Sequence, residues 1–455
     1  MGCLKLVCLF HLRSNPVLKK SLLLIVILAL LLGVSVRAQG VTELNIWWAE
    51  WDPANYLQQI GNEYEAATGI KVNVVQTPWG SYFDRVATEW AAQGSAFDMV
   101  VGDSQWLGQA VTEGHYVDMT EFLTSTGIKD TVTPATLTYY GEYPAGSGSF
   151  YAYPTEGDAN GWAYRRDLFE DADNMAAFEA AYGRPLAIPT TWAELRDIAE
   201  FFTRPDEGLY GIGVYTQIDY DGITMGFQNP FFAFGGDWYD EGFNTLGVVN
   251  SDGAVQALEL YRELYSFAPP GTNNAFFAEM NDVFTNGQAA MIMNYFAFFP
   301  ALANPNINPY ADVTGYFPMP AGPDGERFAA LGGQGISINN YISDERKQAS
   351  YDFITWFATQ EVQQRWAELG GYTCNIAVLE SPEFLEVAPF NAAFAETMTF
   401  VKDFSNIPEF GQLLEVAQRY LHAYIVGGEG TAQDALDNMA AEMDEILVDA
   451  GYVSE

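Results

Sequence analysis

Three cysteines and three histidines are all that 455 residues carry of the side chains most used as metal ligands and nucleophiles. Cys3 and Cys8 lie within the first 38 residues, so a chain shortened there keeps Cys374 alone. One cysteine forms no intramolecular disulfide, and stability must then come from the hydrophobic core. His115 and His422 are the histidines beyond residue 38, and they show neither ligand spacing nor a nucleophilic triad signature. Basic residues are scarce as well: 20 Lys and Arg stand against 59 Asp and Glu. Five of the 20 (Lys5, Arg13, Lys19, Lys20 and Arg37) precede residue 39, where there is no acid, so the remaining 15 face 59 and leave a net charge of −44. Such a surface repels phosphate backbones and anionic lipid, which weighs against nucleic-acid binding and direct membrane adhesion. Its bland meaning is solubility in a salty or acidic medium.

Long hydrophobic runs are confined to Leu22–Val36. With Lys19-Lys20 before it and Val36-Arg37-Ala38 behind it, this run has the form of a secretory signal peptide, residues 1–38. The mature chain is expected to begin near Gln39; an uncleaved signal anchor is the alternative. Hydrophobic residues at 49% and aromatics at 15% exclude disorder. The length allows two domains.

Beyond the leader, strand and helix patterns alternate. Glu43–Trp48 reads as a strand, Tyr56–Ala67 as a helix stopped by Thr68-Gly69, and Lys71–Gln76 as a second strand. Tyr82–Gln93 reads as a helix and Phe97–Val101 as a third strand. This order argues an α/β layer with a parallel sheet, whose ligands sit beyond the carboxyl ends of the strands. Those ends carry Trp47-Trp48-Ala49-Glu50-Trp51, Thr77-Pro78-Trp79 and Gly102-Asp103-Ser104-Gln105-Trp106. Gly141–Pro154 and Tyr316–Pro320 look like crossings between lobes. Thr191-Trp192-Ala193-Glu194 is a capping box opening a helix through Phe202. Asn250-Ser251-Asp252 opens another helix, Leu331–Ile338 is a glycine-rich turn into a strand, and Ser343–Glu368 reads as one long amphipathic helix.

Taken in order, several pieces carry a family resemblance: Tyr64–Val72, Phe97–Val101, Tyr153-Pro154, Tyr164–Phe169, Pro189–Leu195, Phe284–Met291, Leu331-Gly332-Gly333 and Ala349–Phe357. Behind a signal peptide, this series resembles the family 1 extracellular solute-binding proteins of bacterial ABC sugar importers, relatives of maltose-binding protein. The resemblance covers essentially the whole mature chain. It implies a two-lobed, periplasmic-binding-protein-like (type II) α/β fold whose discontinuous lobes are joined by hinge strands. The expected lobes are 39–153 with 321–378 and 154–320 with 379–455. It further implies a periplasmic or extracellular receptor, a monomer without cofactor, that passes its ligand to membrane permease subunits.

A sugar presents apolar C–H faces and a fringe of hydroxyls, which aromatic faces and carboxylates or amides match respectively. Trp48 and Trp51 are the leading stacking platforms for a neutral sugar, oligosaccharide or polyol, with Trp79, Tyr295 and Tyr372 from other loops. Glu50, Asp103, Glu156, Asp158 and Gln334 are the candidate hydroxyl partners. Each has a plainer reading. Trp79 and Tyr295 can be core, and one of Trp47 and Trp48 must point inward. Asp103 can cap the following turn, Glu156 and Asp158 can be solvated loop charges, and Cys374 can be an inert buried thiol. A secreted glycoside hydrolase with two flanking carboxylates is the competing class, but in a chain this acidic some pair always looks suitable. Asp219-Tyr220-Asp221-Gly222 lacks the later ligands of a calcium loop and reads as a turn.

Overall fold

Leu44, Ile46 and Trp48 alternate along the first strand, and all three are fully buried. Trp47 and Ala49, on its other face, are buried too, as expected of a central strand covered on both sides. A computed structural model describes residues 40–218 and 221–453 of the chain. The expected leader, with Cys3 and Cys8, and the Asp219-Tyr220 half of the proposed turn lie outside the described residues. Strands β1 (Glu43–Ala49), β2 (Lys71–Thr77), β3 (Met99–Asp103) and β4 (Tyr153–Glu156) come first. They are followed by β5 (Asn160–Arg165), β6 (Tyr210–Gly213), β7 (Ala289–Tyr295) and β8 (Thr314–Phe317). Then come β9 (Ala329–Ala330), β10 (Gln334–Ile338) and β11 (Val401–Lys402).

One sheet has the order β2-β1-β3-β10-β4, with β1 parallel to β2 and β3, and β10 antiparallel to both β3 and β4. A second sheet runs β6-β7-β5-β8, and β9 pairs with β11 in a small ribbon. The chain passes from the first sheet to the second between β4 and β5, and returns after β8 through Pro318-Met319-Pro320. The crossing read over Tyr316–Pro320 falls at this return, whereas the one read over Gly141–Pro154 ends inside β4 and the passage itself lies just beyond it, at residues 157–159.

The helices arise from local chemistry. Helix Asp52–Thr68 starts with Pro53 in its first turn and ends at Gly69, whose φ of 79° suits a residue without Cβ. Its buried face carries Leu57, Ile60 and Tyr64, and Gly61 lets β2 approach: a Cβ there would lie 2.9 Å from Val72. The capping box forms as read, with the Glu194 N–H donating to Thr191 Oγ1 at 3.2 Å. Helices Phe410–Ile425 and Ala432–Asp449 pack on Gly222–Ala233 and Asp252–Ser266, so the C-terminal part of the chain completes the side of the second sheet.

The long helix expected over Ser343–Glu368 is instead two, Asp344–Phe357 and Gln360–Leu369. Thr359 takes an extended conformation between them, and its hydroxyl donates to the Trp356 carbonyl at 2.8 Å, which satisfies an end the helix would otherwise leave open. The break lets Trp366 pack against both Phe357 and Trp48. The first of these helices is tied to the sheet through Asp98. Its buried carboxylate accepts from Arg346 Nε and Nη2 at 2.5 and 2.6 Å and from the Asn45 N–H at 2.7 Å.

Candidate functional site

Register places the polar residues of the first sheet at one end. Gln334 opens β10 opposite Asp103, the last residue of β3, and opposite Glu156, the last residue of β4. This is the carboxyl end of the parallel strands, where backbone loops open away from the ladder. Trp48 reaches the same place from β1 and donates through Nε1 to Gln334 Oε1 at 2.6 Å. Gly332 and Gly333 lie just before β10. A side chain on Gly333 would collide with the Glu156 carbonyl and the Tyr140 hydroxyl, and one on Gly332 with the Tyr295 ring. Both glycines are therefore required by close approach.

The second sheet faces this end with the β4–β5 loop and the end of β7. Asp158 Oδ1 accepts from the N–H groups of Ala159 at 2.8 Å and Ala297 at 3.1 Å. Its carbonyl accepts from the Gly332 N–H at 3.0 Å. Tyr295 ends β7, and Tyr372 donates to the Phe296 carbonyl at 2.7 Å, bridging the late Gly-Gly segment to the second sheet.

Two further carboxylates join this group: Asp403, which the sequence reading did not name, and Asp221, which it named only as part of a turn. Asp221 accepts from Gln105 Nε2 at 3.2 Å, and Asp403 accepts from Ser104 Oγ at 2.6 Å. Both contacts run from the turn after β3 to parts of the chain over a hundred residues away in sequence, and no local motif marks either one.

Of the expected site residues, Asp103, Glu156, Asp158, Gln334, Tyr295 and Tyr372 are brought together. Glu156 and Asp158 are not solvated loop charges, being 0% and 2% exposed. Asp103 does cap the following turn, accepting from the Gln105 N–H at 3.4 Å. Trp51 is half-buried, edge-on to both Trp48 and Trp79 with ring centroids 5.5 Å apart in each case, and its Nε1 has no protein partner. Trp79 is half-buried too. Trp48 departs from the expected exposed platform: it is 0% exposed, walled by Trp51, Trp366 and Gln334. Trp47 is also buried, with the Arg85 guanidinium 4.1 Å over its ring. Glu50 is exposed and stands apart from the buried carboxylates. Cys374 is buried, with its thiol pushed well above the usual range by burial, which fits the inert reading.

Burial dominates the electrostatics. It raises Glu156 well above the ordinary carboxyl range, with the Asp158 charge adding to the shift. It pushes Asp158 up to about 8, against the backbone N–H groups that favour its charged form. Asp403 is pushed up to about 7 although Ser104 and the Phe404 N–H donate to it, and Asp221 rises by burial and then by the charge of Asp103.

A surface groove of about 530 Å³ lies elsewhere, beside Glu63, Trp356 and Arg365. Another, of about 460 Å³, reaches Tyr372 between Tyr56 and Gly371 on one side and Pro300 and Phe390 on the other.

Residues 49–364 match the profile of the bacterial extracellular solute-binding proteins. The chain belongs to that family. Among its relatives is a probable amino-acid ABC transporter periplasmic-binding protein of Sinorhizobium fredii, 21% identical over 87% of this chain and 86% of its own length. A mannitol-binding protein of Pseudomonas aeruginosa is 24% identical over 81% of each chain. The solved solute-binding protein of Agrobacterium radiobacter in complex with ribitol shares the fold, with a TM-score of 0.74 at 22% identity, covering 89% of this chain and 98% of that one. The fold is thus the two-lobed type II arrangement of periplasmic binding proteins. Members of this solute-binding family are receptors and not enzymes, and the glycoside hydrolase weighed from the sequence finds no support among these relatives.

Proposed function

We propose that this solute-binding protein is the exported receptor of an ABC-type carbohydrate importer, and that it holds a sugar, oligosaccharide or polyol between its lobes. The observation that carries this reading is a half-buried indole, Trp51, edge-on to Trp48, which in turn donates to Gln334, with Asp103 and Glu156 opposite Gln334 at the same sheet end. An apolar ring beside charged and amide acceptors matches the two kinds of surface a sugar or polyol presents. The mannitol-binding and ribitol-bound relatives support the same ligand class. Lobes 39–153 with 321–378 and 154–320 with 379–455 close about the crossings, the ligand stabilises the closed state by touching both, and the closed monomer docks on the permease subunits.

A thermal-shift series of neutral sugars and polyols tests this: a ligand that binds the native state alone raises the melting temperature. The tightest ligand should be recovered chemically unchanged after long incubation. Trp51→Ala should weaken its binding by roughly 1–3 kcal/mol while moving the melting temperature little, because the ring is only half-buried. Normal binding by Trp51→Ala would place the stacking surface elsewhere.

Residues 1–38 are proposed to be a cleaved export signal. Intact mass of protein recovered without detergent should then correspond to a start near Gln39. Retention of Leu22–Val36 in a membrane fraction would establish the anchor instead.

A further inference from the structure

Four carboxylates around the site, Glu156, Asp158, Asp221 and Asp403, are each at least nine-tenths buried, and among the described residues none forms an ion pair with Lys, Arg or His. Elsewhere Asp98 is paired with Arg346, while Glu142, also buried, has no ion pair among the described residues and accepts from the Gly148 N–H. A buried carboxylate without a cation is costly, and hydrogen bonds only partly offset the cost. Asp158 and Asp403 each accept two such bonds. Neither oxygen of Glu156 has a hydrogen-bond partner of ordinary geometry, although the Asp158 N–H lies near enough to favour its charged form, and Asp221 accepts at Oδ2 while Oδ1 has no partner.

A second observation is independent of the acids. The Tyr295 hydroxyl is buried and also has no partner. Its ring lies against Gly332, and burial, with the charges of Asp221, Asp158 and Asp403 adding to it, pushes its phenol well above the ordinary range. Unfilled donor and acceptor capacity is thus gathered in one buried place, with Glu156 ending β4 of the first sheet and Tyr295 ending β7 of the second.

We propose that the cleft contains a subsite for a protonated amine, centred on the Glu156 carboxylate and completed by Asp158, Asp221 and Tyr295, so that an amino-substituted sugar or polyol binds more tightly than its neutral counterpart. The ligand's ammonium supplies the positive charge that the chain itself omits, and its hydroxyls meet Gln334 and Tyr295. A bare metal ion fits less well: among the described residues no three His, Cys, Asp or Glu side chains converge closely enough to hold one.

This inference rests on the carbohydrate reading, and matched probes separate the two. Affinities would be measured calorimetrically at pH 7 for D-mannitol against 1-amino-1-deoxy-D-mannitol, ribitol against 1-amino-1-deoxyribitol, and D-glucose against D-glucosamine. The expected result is that in at least one pair the amine binds about tenfold tighter or more, where tenfold corresponds to roughly 1.4 kcal/mol. Glu156→Gln, which keeps the shape but cannot ionise to meet the ammonium, should bring that ratio close to one. The ratio compares two ligands on the same folded protein, so a loss of stability in the variant does not imitate the result. Equal or tighter binding of the neutral partner in every pair overturns the amine subsite and leaves the carbohydrate reading standing. Failure of all six probes, with binding found only for non-carbohydrate ligands, overturns the carbohydrate reading as well. A melting shift with calcium or magnesium alone that Glu156→Gln abolishes would replace the amine by a metal.

Discussion

Trp48→Ala should lower the unfolding free energy by about 3–5 kcal/mol, the cost of removing a fully enclosed tryptophan. Its indole is 0% exposed, stacked on Trp366 at 6.3 Å and met edge-on by Trp51. Truncation leaves a cavity among these rings and strips Gln334 Oε1 of its 2.6 Å donor. The midpoint of urea unfolding reads the effect directly. Trp48→Phe separates its two parts, because it restores most of the volume and still lacks the N–H. That variant should recover more than half of the loss. A Trp48→Ala midpoint equal to that of the wild type would mean that the ring is not part of the core. The contrast with Trp51→Ala is sharp: three residues along, the same substitution is expected to move affinity and leave stability nearly untouched.

Raising the pH from 5 to 8 should destabilise the folded protein, and the buried carboxyls set the sign. A group whose pKa is higher in the fold than in the unfolded chain retains its proton in the fold after the unfolded chain has lost it. Its stabilising share is complete below the unfolded value, near 4, and is lost as pH rises through the folded value. Asp403 is pushed from 3.8 to about 7 and Asp158 from 3.8 to about 8, so the loss runs from about pH 4 into the neutral range. For Asp403 alone, three pH units at roughly 1.4 kcal/mol each give a loss on the order of 4 kcal/mol. Unfolding midpoints at pH 5, 6, 7 and 8 should fall steadily, and Asp403→Asn should flatten the slope. Parallel slopes in the two proteins would show that Asp403 ionises as freely in the fold as outside it. Separation of the lobes hydrates the same carboxyls, so the radius of gyration should also grow with pH at constant secondary structure.

The sequence made the first sheet legible because its strands obey local rules. Val72 and Val74 in β2, and Met99 to Val101 in β3, are short apolar runs between helix-period segments, and β1, β2 and β3 appear within two residues of their expected bounds. The break at Thr359 was not legible, since the apolar period of Asp344–Phe357 continues across it in sequence. Which way Trp47 and Trp48 point was not legible either: a strand covered on both faces buries both, and alternation then loses its meaning. The candidate site divides in the same way. Asp103 ends β3, so reading carboxyl ends finds it, whereas Gln334 opens β10 just after the Gly332-Gly333 turn and Glu156 ends β4 opposite it. Asp221 and Asp403 are held there through Gln105 and Ser104, by side-chain hydrogen bonds spanning 116 and 299 positions, and such pairings leave no trace in any window of sequence.

Because β10 lies between β3 and β4, the order of synthesis differs from the order of the sheet. A nascent chain presents β1, β2 and β3 first, and the edge of β3 waits for a partner that arrives about 230 residues later, on the order of tens of seconds at ordinary elongation rates. During that interval Met99-Val100-Val101 is an unpaired apolar edge, the kind of template on which chains associate wrongly. The last strand of this sheet is therefore also its gatekeeper: a truncation anywhere before Gln334 removes the strand that separates β3 from β4, and ribosome-bound fragments of that length should be more prone to aggregate than longer ones that include Ile338.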